Sequence, residues 1–444
     1  MAEDEANAGS AVAERPKREP GPQDQRWDWV EATIWTDRMI SALENGVEGG
    51  KWFSLVDKAI RPATLEAAWL KVRANKGAAG VDAMSVERFG AREEVYLREL
   101  GESLRDRSYR PSPVKRVEIP KSGGKSRPLG IPTVKDRIVQ TALKMTIEPI
   151  FEVEFREGSY GFRPGRGAKD ALREVDRLVK EGYTHVVDAD LASYFDTIPH
   201  DRLMARVKER ISDGAMLGLI SGFLEQDIMS ETATWKPTAG TPQGAVLSPL
   251  LANIYLHPLD LLMEERGRKM ARYADDFVIL CREKAEAEAA LREVEAWTQA
   301  NGLTLHPEKT RIGDCREPGQ GFEFLGYRFE AGRRYPRRKS QMALRDKIRA
   351  KTKRSRGDAL ERIVEDLTPT LRGWFEYFKH VWPPALEAID GFVRRRLRAI
   401  LRKQEKRPGA GICANDHQRW TNAYFAERGL FTMTAAHAAA RNPR

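Results

Sequence analysis

Cysteine is scarce in this chain. Cys281, Cys315 and Cys413 lie far apart and form no CxxC pair. That excludes a disulfide framework and a cysteine-based zinc site, and it suits a reducing, cytoplasmic compartment. Long apolar runs are also missing. No stretch reaches the roughly 18 apolar residues that crossing a bilayer needs, so nothing is expected to span a membrane. No apolar core follows Met1, so no secretory signal is expected. No internal repeat is evident.

What is present is size, charge and several acid-bearing motifs. The 444 residues fit one large domain or two to three smaller ones. An apolar content of 41% is enough for real cores. The net charge of +10 and pI near 9.4 point to a polyanion, either nucleic acid or an acidic membrane surface. The charge is concentrated. Residues 331–410 hold 23 Lys and Arg against 9 Asp and Glu, a net of +14, so the remainder sums to −4. The basic character therefore belongs to one region.

Residues 1–26 are rich in Ala, Glu, Pro and Gly and read as a disordered tail. An N-terminal extension and the start of the next domain follow over 27–110. Lys76–Asp82 is a glycine-bearing loop. Val114–Pro120 alternates like a strand, Lys121–Ser126 is a glycine-tipped turn, and Arg127–Pro132 resumes as an extended arm. Lys121 and Arg127 could lie along a triphosphate, and a basic surface hairpin is equally compatible. A helix is expected over Val134–Ile150 and another over Lys284–Ala300. Thr368-Pro369 reads as a helix start, and Pro383-Pro384 ends that helix. A last helix spans about Ala385–Lys406. Its apolar stripe carries Leu386, Ile389, Val393, Leu397 and Ile400. Arg394, Arg395, Arg396, Arg398, Arg402 and Lys403 cover the rest, six cations in ten residues with no acid, which favours nucleic acid over a plain solvated face.

Acids mark the remaining motifs. Val186-Val187-Asp188-Ala189-Asp190 is an apolar run that ends in carboxylates, with Asp188 and Asp190 on one face. Gly240–Gly244 is a loop, and Ser248-Pro249 opens a helix. Arg272-Tyr273-Ala274-Asp275-Asp276-Phe277-Val278-Ile279-Leu280 reads as two strands joined by a tight turn. Two acids at a turn tip repel each other and favour a cation, although Asp is also a common turn residue. Strand, helix and hairpin in this order suit a split βαβ palm, whose carboxylates could hold two Mg²⁺ roughly 3.5–4 Å apart.

At these residues the chain resembles the group II intron-encoded reverse transcriptases with maturase activity. Tyr273-Ala274-Asp275-Asp276 matches the Y-x-D-D box, and Val187–Ile198 matches the first catalytic box. The resemblance implies that Asp190, Asp275 and Asp276 are catalytic. It implies that these and the Leu191 backbone hold two Mg²⁺, with Mn²⁺ a substitute. Phe195 would stack under the sugar and screen out a 2′-hydroxyl. Gln243 and Gly244 would lie in the template and nucleotide loop. Lys121 and Arg127 would contact the triphosphate, in a fingers box that continues to Asp136-Arg137. Lys309, following Leu303-Thr304-Leu305, would protonate the pyrophosphate. Phe324-Leu325-Gly326 resembles the primer grip, and Gly373-Trp374-Phe375 opens the maturase-like helices.

The implied fold is α+β: a right-hand polymerase with fingers and palm over 111–335, an α-helical thumb or maturase domain over 336–410, and a short nucleic-acid-binding segment over 411–444. The implied partners are intron RNA, an RNA template–primer duplex, target DNA and dNTPs, in a cytoplasmic, nucleoid-associated setting. No Cys/His-rich nuclease domain follows, so second-strand cleavage is expected to be absent. A domesticated enzyme of defence or repair is a rival reading. An RNA-binding splicing factor with a dead polymerase is another, and the intact acids oppose it.

Overall fold

A computed structural model describes residues 24–120, 126–230 and 233–441. The disordered-tail expectation falls largely on residues outside this set, though Asp24–Trp27 form a 3-10 turn. The strands are β1 (Val114–Pro120), β2 (Ser126–Ile131), β3 (His185–Asp190), β4 (Ile228–Met229), β5 (Thr234–Trp235), β6 (Lys269–Tyr273), β7 (Asp276–Cys281), β8 (Arg311–Asp314), β9 (Phe322–Phe324), β10 (Tyr327–Glu330) and β11 (Arg333–Pro336). The chain divides into two compact units. One holds residues 1–154, 204–237 and 242–247. The other holds 155–203, 238–241 and 248–444.

In the first unit β1 and β2 form the expected antiparallel hairpin, extended by β4 and β5 into a sheet of order β2-β1-β4-β5. Its tip, with Lys121, lies outside the described residues. Helix Val134–Glu152 forms as its apolar spacing requires, capped by the Thr133 side chain accepting from the Asp136 amide. Gly130 earns its place by a close approach: a Cβ there would meet Val114 and the backbone of Gln243.

In the second unit the sheet order is β6-β7-β3-β8, all neighbours antiparallel. With helix Ser248–Glu265 between β3 and β6, and helix Lys284–Ala300 between β7 and β8, this is the split βαβ palm. β9, β10 and β11 form a small separate sheet. Helices Arg338–Lys351, Leu360–Phe378 and Pro383–Gln404 follow. One apolar core runs from the palm strands (Val186, Val278, Leu280) through Phe324 and Tyr327 into these helices (Leu371, Phe375, Leu386, Leu397).

The expected helix start at Thr368-Pro369 is corrected. The helix begins at Leu360 and carries Pro369 inside it. Ile363, Val364 and Leu367 extend the buried stripe ahead of the proline, and that burial outweighs one lost backbone bond. No helix among the described residues is long and apolar enough to cross a membrane.

Candidate active site

Strand register gathers the acids. Asp190 ends β3 and lies directly across from Asp276, which begins β7. Asp276 also pairs with Tyr273, the end of β6. Ala274 and Asp275 are the whole of the turn between them. Ala274 has φ +59 and Asp275 does not share the positive value, the sign pattern of a II′ hairpin. A left-handed alanine costs on the order of 1–2 kcal/mol, so neighbouring structure must hold it.

Arg272 supplies that hold. Its side chain is fully buried, yet all five N–H groups find acceptors. Nε and one terminal nitrogen donate to the two oxygens of Asp260, at 2.7 and 2.5 Å. The other donations reach Ser159 Oγ (2.8 Å), Asn253 Oδ1 (2.9 Å) and the Ala274 carbonyl in the turn (3.0 Å). Asn253 in turn donates to the Gly161 carbonyl at 2.8 Å. Burial works against the charged guanidinium, but Asp260 outweighs it and holds the pKa above its ordinary value.

The acids crowd one another. Burial first, and then the charges of Asp188, Asp190 and Asp275, push Asp276 up to about 7, against relief from Arg337. Burial and Asp190 raise Asp275, opposed by its own backbone hydrogen bond, Lys309 and Arg272. Burial raises Asp188 to about 6, although Arg311 stands 3.5 Å away. Such a group calls for a cation. Lys309 answers part of that demand through an ion pair with Asp190. It arrives there because the preceding segment is strapped to the end of β3: the Ala192 amide donates to Thr304 and the His306 amide to Asp190. Leu191 is buried and bridged to Leu305.

The donor set is hard oxygen, which suits Mg²⁺ or Mn²⁺. As the side chains stand, with Lys309 on Asp190, no three His, Cys, Asp or Glu side chains of the described residues converge tightly enough to coordinate an ion.

Phe195 sits just past β3 in the short helix Tyr194–Thr197, edge-on to Tyr194. Its carbonyl accepts from the Thr241 amide at 2.6 Å. The Tyr194 hydroxyl donates to Ala252 at 2.6 Å, fixing this turn on the long palm helix. In the other unit, Gln243 accepts from the Gly130 amide at 2.6 Å, and Gly244 adopts φ +107 where a Cβ would strike Gly130 and Leu129. Arg127 is exposed on β2.

The six cations of helix Pro383–Gln404 do not form one free face, which corrects the expectation. Arg398 is buried, donating to the Trp420 carbonyl at 2.9 Å. Arg396 donates to Thr352, and Arg402 to Asp416 and Pro408. Arg395 and Lys403 are exposed and Arg394 is half-buried. Sequence reasoning gave no role to Arg272, Asp260 or Arg337. The available signal for Arg272 and Asp260 was a charge inside each of two otherwise apolar stretches, Met270–Ala274 and Leu259–Met263.

Residues 119–329 match the reverse transcriptase (RNA-dependent DNA polymerase) family, and residues 341–420 match the group II intron maturase-specific domain. Protein YkfC of Escherichia coli (strain K12) is 38% identical over 288 residues, covering 56% of this chain and 75% of that protein. Group II intron-encoded protein LtrA of Lactococcus lactis subsp. cremoris is 34% identical over 258 residues, 57% of this chain and 43% of its own length. Among solved structures, a chain of a partial Cas6-RT-Cas1–Cas2 complex is 27% identical, covering 55% of this chain and 41% of that one, with a TM-score of 0.36.

The acid-ended palm and the helices after it define a right-hand nucleic-acid polymerase, one of the divalent-cation-dependent enzymes. The chain belongs to the group II intron-encoded reverse transcriptases, an RNA-directed DNA polymerase joined to an intron-RNA-binding maturase domain.

Proposed function

We propose that this chain copies RNA into DNA at Asp190, Asp275 and Asp276, and that it serves a group II intron RNA by assisting splicing and retrohoming into target DNA. The observation that carries this reading is the register that sets Asp190 opposite Asp276 at a strained turn held by a buried arginine. The acids and the Leu191 carbonyl are the groups that would hold two Mg²⁺, or Mn²⁺ in their place. When bound, such ions lower the pKa of a primer 3′-hydroxyl and neutralise charge on the departing pyrophosphate.

The chain's own side chains do the rest. Tyr273 and the Ala274 turn set the acids beside the primer end. Phe195 lies under the incoming sugar. Lys121 and Arg127 bind the triphosphate, and Gln243 and Gly244 bound the template and nucleotide loop. Lys309 leaves Asp190 and gives a proton to pyrophosphate. We assign 27–110 to an N-terminal extension, 111–335 to fingers and palm, 336–410 to the thumb or maturase domain, and 411–444 to a nucleic-acid-binding segment. Arg394, Arg395 and Lys403 are the helix cations available to RNA. Arg396, Arg398 and Arg402 shape the helix that carries them.

Primer extension on an RNA template with an annealed DNA primer and four dNTPs tests the reading. Wild-type protein extends the primer and Asp190→Ala does not. Extension by Asp190→Ala at the wild-type rate contradicts the assignment.

A further inference from the structure

A cleft of about 550 Å³ opens in the second unit, sharing no residue with the acid site or with the basic helix face. Three elements meet there. The β10–β11 turn contributes Gly332, and β11 contributes Arg333 and Arg334. The segment after helix Leu360–Phe378 contributes Lys379, His380 and Trp382. Helix Met433–Arg441 contributes His437. No carboxylate lines the cleft among the described residues. Arg334 and Lys379 do have acid partners, Asp176 at 3.2 Å and Glu376 at 3.1 Å, both outside the lining. Arg333 makes no ion pair among the described residues. Its guanidinium lies 4.3 Å from the centre of the Trp382 ring.

Trp382 is 37% exposed, so part of its ring is open to solvent. It is nevertheless anchored. Its backbone amide donates to Arg334 at 2.8 Å, and Tyr335 packs edge-on against its ring at 5.7 Å. The surrounding field is positive. Burial, and then the charges of Arg334, Lys379, Arg173 and Lys169, hold His380 below its ordinary pKa. An exposed, fixed indole beneath a guanidinium, with cations around it, matches the physics of single-stranded nucleic-acid capture. Aromatic rings take base faces and cations take phosphates. An acidic peptide would use the cations and leave the indole without a purpose. The volume suits one nucleotide rather than a duplex.

We propose that the cleft lined by Arg333, Lys379, His380 and Trp382 is a subsite for one unpaired RNA nucleotide, its base stacked on Trp382 and its phosphate among the cations. It rests on the reading that the chain binds RNA, and it adds a place on the protein that this reading does not require.

The test uses the full chain and a fluorescent oligo(rU) decamer carrying 4-thiouridine. Ultraviolet crosslinking followed by peptide mapping is expected to mark the 379–382 or 332–334 segments. Trp382→Ala weakens oligo(rU) binding by about five- to a hundredfold, the range of one base stack on an aromatic ring, and Trp382→Phe restores most of it. Crosslinks confined to other segments overturn the subsite, and so does unchanged affinity in a folded Trp382→Ala protein. Poly-glutamate competing as well as oligo(rU) of equal charge also overturns it, in favour of an acidic protein partner. If Trp382→Ala does not fold, the wild-type crosslink map decides alone. RNA bound without crosslinks in the cleft refutes only the subsite. No RNA bound by the wild type refutes the functional reading itself.

Discussion

Arg272 and Asp260 form a two-pronged ion pair sealed from solvent directly behind the turn that carries Asp275. The pair joins three pieces of chain that are distant in sequence: β6, the helix Ser248–Glu265, and the segment around Ser159. Because the same guanidinium reaches the Ala274 carbonyl, the pair sets the shape of the turn as well as the stability of the palm.

These two roles separate experimentally. Arg272→Ala leaves Asp260 buried without its partner and lowers stability by about 3–5 kcal/mol, read by urea unfolding. Arg272→Met combined with Asp260→Leu recovers most of that loss. Its single-turnover extension rate nevertheless stays low, on the order of a hundredfold, with little change in dNTP KM, because the turn has lost its hold. A double variant that extends at the wild-type rate reduces the pair to a stability element.

Gly161 approaches the same turn closely. A Cβ at this position collides with the backbone nitrogen of Ala274. Gly161→Ala therefore displaces the turn and slows incorporation, while binding of the template–primer, measured by anisotropy, changes little. Equal slowing by Gly373→Ala would argue against a local effect, since that glycine lies within helix Leu360–Phe378 and nothing lies within 4 Å of a Cβ there.

Lys309 occupies Asp190 and would compete there with a divalent ion. The pair is partly exposed, so its worth is about 0.2–1 kcal/mol. Lys309→Met is expected to tighten divalent-cation binding up to about fivefold in titration calorimetry without substrate, and to slow extension. Weaker ion binding would show that Lys309 shapes the site rather than blocks it.

His257, on the long palm helix, gives the fold an acid-sensitive point. Burial lowers its pKa from 6.5 to about 4, and its Nδ1 has no hydrogen-bond partner among the described residues. Between those values the unfolded chain binds a proton that the folded chain does not. The contribution of His257 to stability therefore falls as pH drops from about 6.5 to about 4, while the raised Asp188 and Asp276 act in the opposite sense. His257→Leu removes the falling contribution, so over that range its melting temperature gains on wild type as pH drops. An unchanged slope places the acid sensitivity elsewhere.

Much of the palm is legible in the chain because its signals are local. The apolar flanks of Asp275-Asp276 announce a hairpin, and helix Lys284–Ala300 follows its own periodicity. Pairing of β3 with β7 and β8 joins residues about a hundred apart; the order of strand, helix and hairpin suggests the first, and nothing in the residues announces the second. The role of Arg272 is not legible locally because its partners lie 12, 19 and 113 residues away. Arg398 has the local pattern of a surface cation, and the segment that covers it, around Trp420, folds back from later in the chain. At Pro369 local propensity stops a helix, while the buried Ile363 and Leu367 carry it through.

The paired aspartates are proposed to perform the chemistry and little else, and Asp275→Ala is the decisive variant, measured on poly(rA)/oligo(dT) with dTTP alongside RNA affinity by filter binding. Synthesis of cDNA is expected to disappear while RNA affinity stays within about twofold of wild type. Undiminished synthesis would remove the acids from the chemistry.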